Sequence, residues 1–202
     1  MSVIRGLVSG AVPRLLEDDH FSAFWDRLGP MEQDEVVAET VRRLDLFRGS
    51  FPPLRELRRE LAPMSELFLQ LVALDGMLVV SGRVDLVLGR LGPTRATRVL
   101  IDLKTGRAWP DHPEDMRLYA LLHTFRFGVP PRRVATLFLG AGDWQAEEVS
   151  ERVLEHACDR IVAAVRSAVE LATREPRDLR PGPWCGWCPR AVTCPVASLA
   201  RD

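Results

Sequence analysis

Two apolar runs each carry an aspartate where a core strand has no ordinary use for one. GRVDLVLG, residues 82 to 89, contains Asp85; VLIDLKTG, residues 99 to 106, contains Asp102 and, two positions on, Lys104. Burying a neutral polar group without a partner costs roughly 2–7 kcal/mol, and an ionised carboxylate costs more, so something must compensate these charges. A bound cation would do so. Mg²⁺ or Mn²⁺ takes oxygen ligands, typically one or two carboxylates with waters and substrate phosphates. The backbone carbonyl of Leu103, between Asp102 and Lys104, offers a further oxygen. A cation held there polarises a phosphoryl oxygen and lowers the pKa of a bound water. A neighbouring ammonium positions the attacking water or stabilises charge developing on the phosphate. A single D-x-K is common by chance. Placed on a strand, with a second aspartate on the preceding strand, it is far more specific.

Strand geometry decides whether these groups meet. LFLQLVAL and MLVVSGRVDLVLG flank Asp75-Gly76, a strong two-residue hairpin signal. With that turn, facing residues have numbers that sum to 151, which sets Glu66 opposite Asp85. A second connection centred on Pro93-Thr94 sets Asp85 opposite Asp102. Because side chains alternate faces along a strand, Asp102 and Lys104 share a face and Leu103 points away. The reading gathers three carboxylates and a lysine on one sheet face. Like charges directly opposite are destabilising, so such a gathering points to a cation.

The rest of the chain supplies the frame. Apolar residues recur at helical spacing over Pro13 to Arg27 and Gln33 to Phe47, before the hairpin. After the third strand, RVLIDLK, a helix is expected from about Pro113 to Phe127, with proline tolerated in its first turn. VATLFLG reads as a fourth strand and Ser150 to about Arg174 as an amphipathic helix, with Leu154, Ile161, Val165 and Val169 on one side. The expected order is helices, three antiparallel strands, helix, strand, helix and a cysteine-bearing tail. Three segments follow: a helical segment over residues 1–65, a core over 66–178 and a tail over 179–202.

GRVDLVLG followed by VLIDLKTG, with the helix DMRLYALL and the C-terminal cysteines, resembles the PD-(D/E)XK nuclease superfamily, in particular its RecB-like and CRISPR-associated exonuclease-like branch. The resemblance runs from about Glu66 to Pro195. It implies a restriction-endonuclease-like α/β core, a mixed sheet flanked by helices, and metal-dependent hydrolysis of DNA phosphodiester bonds. It also implies exonuclease-like action in repair, recombination or defence, plausibly within a larger complex. On this resemblance Asp85 and Asp102 are metal ligands, Lys104 is the catalytic lysine, and Glu66 stands where relatives often have an acid. Relatives of this branch also carry a metal-binding histidine on an N-terminal helix, for which His20 is the candidate; a solvent-facing residue near a helix start is the alternative. Relatives commonly show Q-x-x-x-Y on the helix after the lysine strand. Tyr119 matches the tyrosine, but Asp115 replaces the glutamine. Four apart, Asp115 and Tyr119 share a helix face. Asp115 either reaches the substrate or a metal-bound water, or is an acid favoured in a helix's first turn.

The cysteines form a second constellation. Cys185, Cys188, Cys194 and Pro195 have spacing similar to the C-terminal part of the iron–sulfur motif of such nucleases. Three thiolates can wrap a metal centre, but a zinc site or a cubane cluster normally takes four ligands. The fourth ligand stays open between Cys158, which falls on the apolar stripe of the last helix as a small hydrophobe, and His156, off that stripe, if the metal is zinc. A cluster-free remnant is the other reading.

Composition narrows the remaining classes. At 202 residues the chain suits one domain with a small appendage. A net charge of −1 gives no global basic signature for nucleic-acid binding. No apolar run approaches a membrane span and no signal-peptide pattern opens the chain, so no membrane partner is expected. Cysteine usage suits a reduced, cytoplasmic setting. The rival to a nuclease is a nucleic-acid-binding or assembly module that keeps the fold without turnover.

Overall fold

A computed structural model describes residues 3–56, 58–106, 108, 112–173, 179, 181–186 and 188–196. Contacts divide the chain into two compact units, Met1–Cys158 and Asp159–Asp202. The first holds the N-terminal helices and the sheet together.

Helices α1 (Val3–Leu15), α2 (Asp19–Trp25), α3 (Pro30–Ser50) and the short α4 (Arg58–Leu61) precede the sheet. The single helix expected over Pro13 to Arg27 is two helices. Asp18 breaks the run because its side chain accepts from Phe21 N–H at 2.8 Å, starting a new helix instead of continuing the old one. Strands β1 (Met64–Ala73), β2 (Leu78–Leu88), β3 (Val99–Lys104), β4 (Arg133–Phe138) and β5 (Asp143–Glu148) form one sheet in that order, with α5 (His112–Phe127) between β3 and β4. All neighbours are antiparallel except β3 and β4, which are parallel and therefore need the α5 crossover. β5 was not expected from the sequence. Its residues Asp143 to Glu148 are mostly exposed, so no strong apolar alternation marks it. Helix α6 (Glu151–Thr173) follows, and Arg174, the expected helix end, lies outside the described residues.

The connection is centred on Asp75-Gly76 as expected but is longer than a two-residue turn: Leu74–Gly76 form a 3-10 turn, with Leu74 and Asp75 at φ 53° and Gly76 at φ 88°, and pairing begins at Ala73 and Leu78. The register runs from Ala73 opposite Leu78 to Met64 opposite Val87, every facing pair as the turn dictates. One cluster of buried side chains, with Leu69, Val84, Val87 and Leu100 from the sheet and Met116, Ala120 and Leu122 from α5, fills one face. On the other face Leu86, Ile101 and Ala135 pack against Phe47, Phe51 and Leu54. The sheet thus lies between α5 and the end of α3.

Near its far end α5 buries His123 completely. Burial and the Arg98 guanidinium hold His123 down to about 4, so its ring is neutral. Its Nδ1 then donates to the Val129 carbonyl at 3.1 Å, leaving Nε2 to face Arg98 Nη1 at 3.5 Å.

The second unit carries the tail cysteines. Cys185, Cys188 and Cys194 are partly buried and none is in a disulfide. Cys185 Sγ accepts from Gly182 N–H at 3.5 Å, and the Trp184 indole lies over Gly182, where an added Cβ would come within 2.4 Å of the ring. Trp187 lies outside the described residues.

Candidate active site

The motif strands meet as the sequence requires. β2 and β3 pair through Leu86–Ile101, Val87–Leu100 and Leu88–Val99, and the next pair in that register is Asp85 with Asp102. The regular ladder stops before it. In its place the Asp85 side chain turns in, and its Oδ2 accepts from Leu103 N–H at 2.7 Å. A carboxylate thus occupies a backbone donor that a strand partner would otherwise take.

A change of strand phase produces this turn. Val84 and Val87 both enter the α5-side cluster although they are three residues apart, while Leu86 enters the opposite one. The alternation therefore slips by one residue between Val84 and Leu86. Across the hairpin, Glu66 sits at φ 56°, in the left-handed region, and the ladder skips the Glu66–Asp85 pair while keeping Ser65–Leu86 and Leu67–Val84 on either side. A non-glycine residue there is uncommon and marks a local demand of the fold. The expected meeting of Glu66 with Asp85 does not occur. Glu66 is exposed and lies 3.5 Å from Arg83.

Asp102 is buried, with Lys104 on the same face and its Nζ 2.9 Å from Asp102 Oδ2. The pair is at ion-pair distance, yet Oδ2 is buried without a hydrogen-bond partner of acceptable angle. Attraction to Lys104 therefore offsets part of the desolvation of Asp102. Burial pulls the Lys104 ammonium down, but the Asp102 carboxylate, with smaller help from Asp115 and Tyr119, holds it above the usual lysine value. Burial raises the Asp85 carboxyl above the usual aspartate value; the Leu103 N–H opposes this, Asp102 adds to it and Lys104 opposes it.

Helix α5 brings the remaining groups. The Tyr119 ring packs on β2 at Gly82, where a Cβ would come within 2.4 Å of it, so glycine is what lets the ring lie there. Burial raises the Tyr119 hydroxyl above its ordinary value, as does the Asp102 charge, while Lys104 opposes this and Asp115 and Asp85 add to it. Asp115, one helical turn earlier, is exposed. Asp85, Asp102, Lys104, Tyr119 and Asp115 thus share one electrostatic neighbourhood. His20 is not on these elements; it is exposed near the start of α2.

Among the described residues no group of three or more His, Cys, Asp or Glu side chains is arranged to hold a metal ion alone. With Glu66 turned away, the cluster has two adjoining carboxylates instead of three. That set still suits Mg²⁺ or Mn²⁺, which bind through one or two carboxylates and complete their shell with water and phosphate. The observation that fits a cation is a pair of neighbouring carboxylates, Asp102 buried and Asp85 partly so, that share a single ammonium.

A family model described as the PD-(D/E)XK nuclease superfamily matches residues 4–195. The chain belongs to the PD-(D/E)XK nuclease superfamily. Its mixed, helix-flanked sheet is the core such nucleases share. No curated protein matches it. Among solved structures this nuclease-family chain is similar to SSO0001, at 15% identity and TM-score 0.41 over 95% of this chain and 80% of the other. It is also similar to a candidate exonuclease from Eubacterium rectale, at 13% identity and TM-score 0.49 over 96% and 75%.

Sequence reasoning missed a second charged cluster on α5. Arg117 donates through Nε and Nη2 to the two Glu147 oxygens at 2.8 and 2.9 Å, and through Nη1 to Glu114 Oε1 at 2.7 Å. His156 Nε2 lies 2.9 Å from Glu114 Oε2, so the candidate zinc ligand of the sequence is paired with a carboxylate. Cys158, expected on the buried stripe of α6, is exposed; its neighbour Ala157 is the buried residue. The 151–158 turn packs through Leu154 and Ala157, which rotates Cys158 outward. A bidentate Arg–Glu pair between a helix and an unrecognised strand left no short-range signal.

Proposed function

We propose that this nuclease-family protein hydrolyses DNA phosphodiester bonds with a divalent cation, Mg²⁺ or Mn²⁺, held by Asp85 and Asp102 and by the Leu103 carbonyl. The observation that carries this reading is the buried Asp102 carboxylate, with the Lys104 ammonium 2.9 Å from its Oδ2 and the Asp85 carboxylate near enough for the two charges to oppose each other. Bound there, the cation would supply Lewis acidity toward the scissile phosphate and its attacking water. The protein's own groups do the rest. Asp102 keeps Lys104 protonated, so the ammonium is a donor aimed at negative charge developing on the phosphate. Asp85, fixed by the Leu103 N–H, presents its remaining oxygen in a preset direction. Tyr119, seated on Gly82, walls the site from the α5 side. Exonuclease-like action in repair, recombination or defence is part of the proposal, and the resemblance of its motifs to the RecB-like branch supports it.

A catalytically silent nucleic-acid-binding module is the competing reading, and the exposed carboxylate of Asp115 favours it by adding negative charge where phosphate must approach. Cleavage of end-labelled single- and double-stranded DNA with Mg²⁺ or Mn²⁺ separates the two. Wild-type cleavage that is lost in Lys104→Ala supports the nuclease; no cleavage of any substrate, or equal cleavage by the variant, overturns it.

A further inference from the structure

Helix α5 crosses the sheet above the candidate site, and its contacts with the strands on either side fix where it does so. Tyr119 packs on β2 at Gly82. His112, the first residue of α5, stacks on Phe138 of β4, with ring centroids 5.6 Å apart and 29° between the planes. β3 lies between β2 and β4, and Phe138 is the parallel partner of Lys104. Strand alternation puts Phe138 and Lys104 on the face that carries Val134 and Leu100, which is the α5 face. The spans agree: the seven-residue step from His112 to Tyr119 rises about 10 Å along a helix, and two strand spacings are also about 10 Å. Lys104 is thus flanked by Tyr119 on the β2 side and by His112 on the β4 side.

His112, Asp115 and Tyr119 follow one another by three and four positions, which sets them on one face of α5. Lys104 feels both Asp115 and Tyr119, so that face is turned to the site. The site itself is short of groups that can receive a phosphate. Asp85, Asp102 and Asp115 surround one ammonium, and Asp102 already holds it at 2.9 Å. Among the described residues the nearby guanidiniums are committed elsewhere, Arg117 to Glu147 and Glu114, and Arg83 beside Glu66. On the site-facing side of α5 the donors that remain are the Tyr119 hydroxyl, toward β2, and the His112 imidazole, toward β4. Phe138 holds the His112 ring through its face, which keeps the two ring nitrogens at the edge, clear of the stacking partner.

Resting on the nuclease reading above, we propose that His112 is a further substrate-contacting residue, whose imidazole donates a hydrogen bond to an oxygen of the DNA phosphate at Lys104 from the β4 side, opposite Tyr119. A hydrogen bond to an anionic oxygen is stronger than one between neutral groups, so a single donor there has a measurable effect.

Two variants separate a phosphate contact from packing. His112→Phe keeps an aromatic ring on Phe138 and removes the donor; His112→Gln removes the ring and restores an N–H donor. In Mg²⁺- or Mn²⁺-dependent cleavage of an end-labelled strand, His112→Phe should lose roughly tenfold in kcat/KM, the scale of one hydrogen bond to a charged group, with its melting temperature unchanged. His112→Gln should recover most of that loss. An undiminished kcat/KM in His112→Phe, or a loss in His112→Gln as large as in His112→Phe, overturns the proposal. A second readout needs no turnover. The chain has four histidines, His20, His112, His123 and His156, and imidazole nitrogen NMR follows each while a short oligothymidylate is added in EDTA. The signals absent from His112→Phe should move in wild type, and those of His20 and His156 should stay. No movement at His112 up to millimolar strand, or equal movement at His20 and His156, overturns the contact. Movement at His112 without cleavage by any divalent cation sinks the nuclease reading alone, and equal cleavage by wild type and His112→Phe sinks the contact alone.

Discussion

Helix α5 faces two clusters that each set carboxylates against a cation, Glu114 and Glu147 with Arg117, and Asp85 and Asp102 with Lys104, and they are finished differently. In the Arg117 cluster each carboxylate oxygen of Glu147 and Glu114 has a partner, from Arg117 or His156. In the Asp102 cluster two neighbouring aspartates, whose charges oppose each other, share one ammonium, 2.9 Å from Asp102 Oδ2. A satisfied network rigidifies a fold; one left with opposed charges costs stability and is kept where chemistry requires it. The contrast separates a structural ion network from a candidate catalytic one without reference to any relative.

The largest expected effect of breaking this contrast is on turnover. Asp102→Asn should take DNA cleavage to background and Lys104→Ala should lower it on the order of 10²–10³-fold, the scale for one positioned charge-stabilising donor. Glu147→Gln should leave the cleavage rate within a few-fold. A steady-state assay on one end-labelled strand compares all three, and equal losses in all would erase the distinction.

Stability should run the opposite way. Arg117→Ala strands two partly buried carboxylates and should cost about 1–2 kcal/mol after discounting for solvent. Asp102→Asn should change stability by less than about 1 kcal/mol, because it removes a buried charge as well as an attraction. Urea unfolding of both variants at neutral pH measures this.

Acidity sharpens the same comparison. The Asp85 carboxyl is raised in the fold from 3.8, so the folded state holds that proton more tightly than the unfolded chain. Its penalty is absent below 3.8, sets in as pH rises through that value and is complete above the raised folded value. Asp85→Asn should remove this part of the pH dependence, and Mg²⁺ should raise the wild-type melting temperature more at neutral pH than at pH near the carboxylate range. Thermal melts across pH, with and without Mg²⁺, decide it; an identical Mg²⁺ effect in Asp85→Asn would contradict the assignment.

The smallest effect belongs to His156. Its imidazole is half-exposed, so His156→Ala should cost only about 0.5 kcal/mol and leave cleavage unchanged. A larger loss of activity would mean that the second cluster positions α5 for catalysis.

Some of this was legible from residue order. The Asp75-Gly76 turn specified the β1–β2 register, and strand alternation put Asp102 and Lys104 on one face. Helical spacing put Asp115 and Tyr119 within reach of the same charges. These are short-range consequences of periods and turn chemistry, which the chain carries locally. The tertiary structure alone decided three other points. Glu66 left the cluster because a left-handed backbone at a non-glycine residue, which no local residue pattern announces, accompanies a one-residue slip in facing. Asp85 gained its fixed orientation from Leu103, eighteen residues away, where the β2–β3 ladder ends. β5, with little apolar alternation, became a strand because β4 offered a free edge, and with it came Trp144 and Glu147. Periodicity writes which face a residue takes; which partners that face meets depends on contacts distant in sequence, and those are formed only when the sheet closes.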